Sequence, residues 1–240
     1  MPVSAREFQR WSDQWFPEVS ARELARLSGL KSTTLHQQIV RNKVAESTVI
    51  SAARAKNLDP LEALSSFEGY VDLLTGTSVP TEAELLSQVH YLDVLREVLG
   101  RAGDLSAMEP SMLRPIPQQD SVRSWVDAID PGDLRSVMAA RLGITASTLS
   151  TRLKTKFAAP LAVDIARQAG VSLASGLVVG GLLTEAEGGW PANGRFEALR
   201  ALGESDLFSL AIRKLTVVNR GYWQRQHNKQ QAEEFWGNLG

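Results

Sequence analysis

The side chains best able to do chemistry are cations gathered into three stretches that hold no acid. Between Leu24 and Ala45 stand Arg26, Lys31, Arg41 and Lys43; between Leu134 and Val163 stand Arg135, Arg141, Arg152, Lys154 and Lys156. From Leu207 to Ala232 come Arg213, Lys214, Arg220, Arg225 and Lys229, interleaved with Tyr222 and Trp223. Cations spread along a segment in this way suit a repeating polyanion such as a phosphate backbone, and aromatic neighbours add stacking. The balancing acid lies between Asp59 and Glu109, where ten carboxylates face only Arg96 and Arg101, so a formal net charge of -1 hides segregated charge. Catalytic and metal chemistry find no constellation. His36, His90 and His227 are dispersed without ligand spacing, and there is no cysteine. Gly176 to Gly181 lacks the lysine and hydroxyl ending of a phosphate-cradling loop, and Glu82 and Glu84 read as a solvated helix face. The expectation is a protein with no catalytic set, metal site or cofactor.

Stepping outward, 240 residues suit two small domains, and 43% hydrophobic with 22% charged residues is the balance of an ordinary folded chain. Met1 to Trp15 alternates charged and apolar residues and does not read as a signal peptide. The most apolar run, Val171 to Leu183, is too short to span a bilayer, which takes about 20 residues. These readings lead to a cytoplasmic protein without a membrane partner.

Apolar residues recur at helical spacing almost throughout, with no sustained strand-like alternation, which predicts an all-α fold. Ser4 to Trp15 is a first helix, with Ser4 and Glu7 forming a capping box and Pro17 beyond its end. Short helices follow over 20–28, 32–42, 46–56 and 60–67. One longer helix is predicted from Pro80 to Arg101, then a linker over 104–119 containing Pro110, Pro115 and Pro117. A second group covers 121–129, 131–142, 146–156, 160–168 and 173–183, and three further helices complete the chain. The expected organisation is an N-terminal domain at 1–77, a connecting helix and linker at 78–119, a second domain at 120–184 and a C-terminal helical segment at 185–240. Either the 80–101 helix or the C-terminal segment is available for self-association.

An internal repeat carries the functional reading. Leu24 to Ile39 aligns without a gap on Met138 to Leu153, both reading Ala-x3-Gly-[Leu/Ile]-x4-Leu-x3-[Ile/Leu]. One residue is dropped afterwards, and Ala53, Arg54 and Leu58 then match Ala166, Arg167 and Val171. Ala25 and Ala139 suit a close helix crossing, Gly29 and Gly143 a turn with positive φ, and Leu30 and Ile144 the space beneath it. Leu35, Ile39, Leu149 and Leu153 form the buried side of the next helix, whose opposite side stays free.

This pattern resembles the lambda-repressor-like (XRE-type) helix-turn-helix family, in two tandem copies over about 4–67 and 121–183. The resemblance implies five-helix modules whose third helix enters the major groove of double-stranded DNA, and a sequence-specific regulator of the phage-repressor kind. It assigns recognition to Ser32, Thr33, His36, Gln37 and Arg41 in the first copy, and to Ala146, Ser147, Ser150, Thr151 and Thr155 in the second. Lys31, Lys43, Arg152, Lys154 and Lys156 flank these as phosphate contacts, and Thr145 is a natural N-cap for the second recognition helix. Lys31 in the equivalent place is not, so Ser32 is expected to cap the first. Gln37 suits adenine and Arg41 guanine or phosphate, whereas the short hydroxyls of the second copy suit phosphates and thymine methyls. The implied location is the nucleoid. The alternative is a helical adaptor or antitoxin-like factor that uses the same modules to dock a protein.

Overall fold

The computed structural model describes residues 3–75, 79–155 and 157–237, apart from the side chains at 224, 225, 232 and 234–237. Helices supply the regular structure among the described residues, and the one β-type pairing there is an isolated bridge between Val3 and Val44. The fold is all-α. The chain divides into two compact units: one takes 1–88 with 115–194, the other 89–114 with 195–240.

The first unit opens with α1 (Ala5–Trp15), held at its start by the reciprocal Ser4 and Glu7 capping box. Its Phe8 and Trp11 are buried one turn apart. α2 (Ala21–Leu27) is capped by Ser20, and α3 (Ser32–Val40) and α4 (Glu46–Ala55) follow. α5 (Pro60–Ser65) starts on Asp59, whose carboxylate accepts from Leu61 and Glu62, with proline where no amide donor is needed. The Gln38 side-chain carbonyl takes the Ala45 N–H and the Thr48 hydroxyl, each at 3.0 Å, and so fastens the end of α3 to the start of α4.

The helix expected over 80–101 is two helices, α6 (Glu82–Ser87) and α7 (Tyr91–Arg101). The break has a local cause: His90 is extended and its Nδ1 accepts the Leu92 N–H at 3.2 Å, so the imidazole starts a new helix. Burial, and then the nearby Arg114 charge, hold the His90 pKa below the ordinary imidazole value, which favours the neutral ring this bond requires. α6 packs against α8 (Ser121–Ile129). There Trp125 Nε1 donates to the buried Glu84 carboxylate at 3.0 Å, and the Gln88 amide donates to the Ser121 carbonyl at 3.0 Å.

α9 (Leu134–Arg141), α10 (Ala146–Thr155), α11 (Ala159–Ala169) and α12 (Ser175–Val179) complete this unit. α12 is shorter than the helix expected over 173–183, ending at Gly180 before Gly181 turns left-handed at φ 75°. Gly176 sits where α12 crosses α11: a Cβ there would lie 2.7 Å from the Ala162 carbonyl oxygen. The glycine run of the sequence is therefore a close helix crossing. Two polar links join the two halves of the unit. Arg54 on α4 pairs with Glu187 at 2.6 Å and donates to the Leu182 carbonyl at 2.9 Å, and Arg167 on α11 pairs with Asp72 at 2.7 Å.

The second unit is built on α7, α13 (Gly194–Ala201) and α14 (Glu204–Gly237), two C-terminal helices where three were expected. Gly221 lies inside α14 and does not end it. Leu207, Leu210 and Ala211 form its buried stripe, and α14 packs on α7. Arg101 bonds Glu97 at 2.7 Å and gives its remaining donors to the carbonyls of Leu199, Arg200 and Leu202, closing the C-terminus of α13 with a cation.

Candidate nucleic-acid interface

Two helix pairs, α2 with α3 and α9 with α10, are joined by the same turn. Gly29 and Gly143 have φ of 70° and 61°. In each case the glycine N–H bonds back three residues (to Arg26, 3.0 Å, and Ala140, 3.1 Å), and the next N–H bonds back five (Leu30 to Ala25, 2.8 Å; Ile144 to Ala139, 3.0 Å). This is a Schellman closure, in which a left-handed residue lets two otherwise orphaned carbonyls be satisfied. The repeat continues one residue out of step into α4 and α11. Asn57 (φ 55°) and Gly170 (φ 69°) close them alike, with Leu58 bonding to Ala53 and Val171 to Ala166. Ala25 and Ala139 are buried at the crossings, Leu35 and Leu149 are buried in the following helices, and Leu30 and Ile144 are half-buried under the turns. At the first offset Trp11 also matches Trp125, and both are buried. That equivalence was readable in the sequence and extends the repeat into α1 and α8.

The free side of α3 presents Ser32, Thr33, His36 and Gln37, with Arg41 and Lys43 just beyond its end, all exposed. His36 and Gln37 make no side-chain hydrogen bond to other described residues, which leaves both sides of the Gln37 amide available. Lys31 occupies the N-cap position without a side-chain bond, and Ser32 is already the first helical residue, so Ser32 does not cap. The Lys31 backbone alone is extended there, its carbonyl receiving Thr34 and Leu35. In contrast, Thr145 caps α10 by accepting the Thr148 N–H at 3.1 Å.

On α10, Ser147, Thr151, Arg152 and Lys154 are exposed and Ser150 is half-buried; Lys156 lies outside the described residues. The Thr151 hydroxyl donates to the Ser147 carbonyl at 3.1 Å, and that of Thr155 to the Thr151 carbonyl at 2.9 Å. Their protons are thus occupied inside the helix, and toward a ligand these oxygens act as acceptors. Between α8, α9 and α10 opens a cleft of about 320 Å³ lined by Arg123, Asp127, Arg135, Ser150, Leu153 and Lys154.

The stretches that lack acid in sequence do not lack it in space. Arg26 pairs with Glu23 at 2.5 Å, Arg135 with Asp127 at 2.5 Å and Asp130 at 3.4 Å, and Arg141 with Asp164 at 3.9 Å. The Arg26 guanidinium beside Glu23 lowers that carboxyl below its usual value. Among the described residues, Lys31, Arg41 and Lys43 around α3 and Arg152 and Lys154 on α10 keep no carboxylate partner. Within the first two acid-free stretches, the described cations left without a carboxylate partner thus stand on or just beyond the two polar helix faces, while Arg213 and Arg220 on α14 lack one as well.

Compared with protein-family models, curated proteins and solved structures, the chain matches none of them. No group of three or more histidines, cysteines or carboxylates capable of holding a metal occurs among the described residues, and no helix there is long and apolar enough to cross a membrane.

Proposed function

We propose that the chain is a sequence-specific double-stranded DNA-binding regulator, a repressor of the lambda-repressor-like kind, in which α3 and α10 serve as recognition helices. The observation that carries the reading is the twofold occurrence of one glycine-closed turn, each time followed by a helix with a buried leucine side and an exposed polar side. A helix held in this way can be laid into the major groove. Five cations without a carboxylate partner support the same reading, since Lys31, Arg41, Lys43, Arg152 and Lys154 lie on or beside α3 and α10, where a helix in the groove would meet phosphates.

The two helices have different work. Gln37 carries the donor and acceptor pair that matches adenine N7 and N6, and Arg41 is able to fork to guanine or hold a phosphate. Ser147 and Thr151 offer small oxygen acceptors to cytosine or adenine amino groups, and their methyl or methylene carbons to thymine. α3 is the principal reader and α10 the auxiliary one. Occupancy of the site blocks transcription, and the protein works at the nucleoid.

A second reading, that the α9 and α10 pair docks a protein, is favoured by the neutralisation of Arg135 and Arg141 by nearby carboxylates. Selection of duplexes from a random-sequence library at about 150 mM salt, where unspecific phosphate attraction is already weakened, separates them. The expected result is one enriched motif long enough for two recognition helices. A motif short enough for one helix assigns α10 to docking, and no enrichment removes the DNA reading altogether.

A further inference from the structure

α14 is 34 residues long, about 51 Å at helical rise, and carries two distinct apolar stripes. One, including Leu207, Leu210 and Ala211, is buried. The other begins at Phe208 and runs through Ile212, Leu215, Asn219, Tyr222 and Gln226, roughly 105° around the helix from the first at 100° per residue. It is uncovered: Ile212 is 65% exposed, Tyr222 50%, Phe208 47% and Leu215 40%, with Trp223 beside them at 65%. We infer that this stripe is a homodimer seam, occupied by the same stripe of a second copy in a parallel two-stranded coiled coil.

The spacing along the stripe alternates four and three residues, which is the a/d repeat of a coiled coil. Ile212 and Asn219 fall at a positions, and Phe208, Leu215 and Tyr222 at d. β-branched residues at a with leucine at d select two parallel strands, and a single asparagine at a fixes register by facing its own copy across the seam. This self-complementarity points to a second copy of the chain as the occupant. Charge agrees: the positions flanking the seam are Ser209, Ala211, Thr216, Val218, Trp223 and Arg225, the one cation among them falls opposite Gln230 of the second copy in a parallel pair, and Arg213 and Arg220 lie on the outer side, so no like charges oppose each other. Area agrees as well. The uncovered parts of these five side chains amount to roughly 500 Å² per copy, and pairing two copies with their flanks reaches the lower edge of a stable interface, about 1,200 Å² in all. The seam is only about five turns long, so association belongs in the micromolar range.

Sedimentation equilibrium of the full chain over roughly 1 to 200 µM tests this. The expected result is a concentration-dependent monomer–dimer equilibrium whose dissociation constant rises at least about tenfold in Ile212→Lys, with helical circular dichroism unchanged. Asn219→Ile supplies a second reading, with tighter association and oligomers above the dimer expected, because the residue fixing two strands is gone. Because the chain has no cysteine, Tyr222→Cys alone should oxidise to a covalent dimer if the strands are parallel and in register. A wild-type chain monomeric throughout, or an Ile212→Lys chain that dimerises as well as wild type, overturns the proposal. So does a disulfide forming only when Ile212→Cys and Tyr222→Cys chains are mixed, which demands antiparallel strands. A monomer that loses duplex affinity when Tyr222 and Trp223 become alanine assigns the stripe to DNA instead.

Discussion

Trp125 donates its indole N–H to Glu84 at 3.0 Å across 41 positions of sequence, whereas Trp11, which holds the same place one repeat earlier, has no partner for its indole N–H. Two repeats of one module have thus been sealed differently: the first buries an unsatisfied donor, and the second borrows a carboxylate from α6, where Thr81 also donates to Glu84. Replacing either tryptophan by phenylalanine removes similar volume, so the difference between the two variants isolates the hydrogen bond. Trp125→Phe should cost about 1–3 kcal/mol more than Trp11→Phe, since it leaves a buried carboxylate short of a donor. Urea denaturation of the two variants beside wild type measures this, and equal losses would refute the distinction.

The paired turns give a second expectation. Gly29→Ala and Gly143→Ala meet nothing within 4 Å, so each should lose only about 1–2 kcal/mol through the left-handed backbone. Gly176→Ala is different in kind, because its methyl group would overlap backbone at Ala162, and a loss of about 1–3 kcal/mol from overpacking at that crossing is expected. Restoring stability in Gly29→Ala by Gly29→Asn, but not in Gly176→Ala by Gly176→Asn, would distinguish strain from crowding in thermal melts.

The link between Arg54 and Glu187 should show itself in acid. The hydrogen bond from Arg54, followed by the Thr184 backbone N–H, brings the Glu187 pKa down to about 2 from the usual 4.5. A depressed carboxylate contributes stability that is fully present above its unfolded pKa and is lost as pH falls through the folded value, here between about 4.5 and 2. Arg54 remains partly exposed, so screening limits the effect to about 1 kcal/mol or less. Arg54→Met should therefore be less stable than wild type at pH 7, with the gap closing as pH approaches 2. A gap that stays constant with pH would mean that packing of the arginine stem, and not its charge, stabilises the contact.

If α3 is the main reader, Gln37→Ala with Arg41→Ala should weaken specific duplex affinity more than Ser147→Ala with Thr151→Ala, the first pair costing about 2–4 kcal/mol. Lys43→Ala should weaken all sequences alike and reduce the slope of log affinity against log salt by about 1. Titrations on the selected duplex at several salt concentrations check both, and the reverse order would transfer the main role to α10.

Much of this was legible beforehand because it is local. The capping box at Ser4, the positive φ at Gly29 and Gly143, and the buried Leu35 and Leu149 depend on residues within a turn or two. The break at Gln88 to His90 was hidden, because an imidazole capping its own backbone leaves no mark on hydrophobic spacing. The continuity of α14 was hidden for the opposite reason: a glycine at 221 costs a helix about 1 kcal/mol, too little to end it. At the site, the polar residues of α3 and α10 could be named from the repeat. The loss of Arg135 and Arg141 to Asp127, Asp130 and Asp164 could not, since acids lying outside a basic stretch, or on another helix, reach it only after folding.

The polar links at Arg54 and Arg167 belong to one unit that also contains α3 and α10. Under the proposed function, two readers on a common support do not search independently: once one is seated, the other meets its half-site at an effective concentration in the millimolar range, and avidity rises without any new contact. The gain depends on phase. Five base pairs inserted between the half-sites would carry the second one about half a turn around the duplex, where a fixed support cannot follow, and ten would bring it back to the same face at a longer reach. On that reading, an operator would be defined by its interval as much as by its letters.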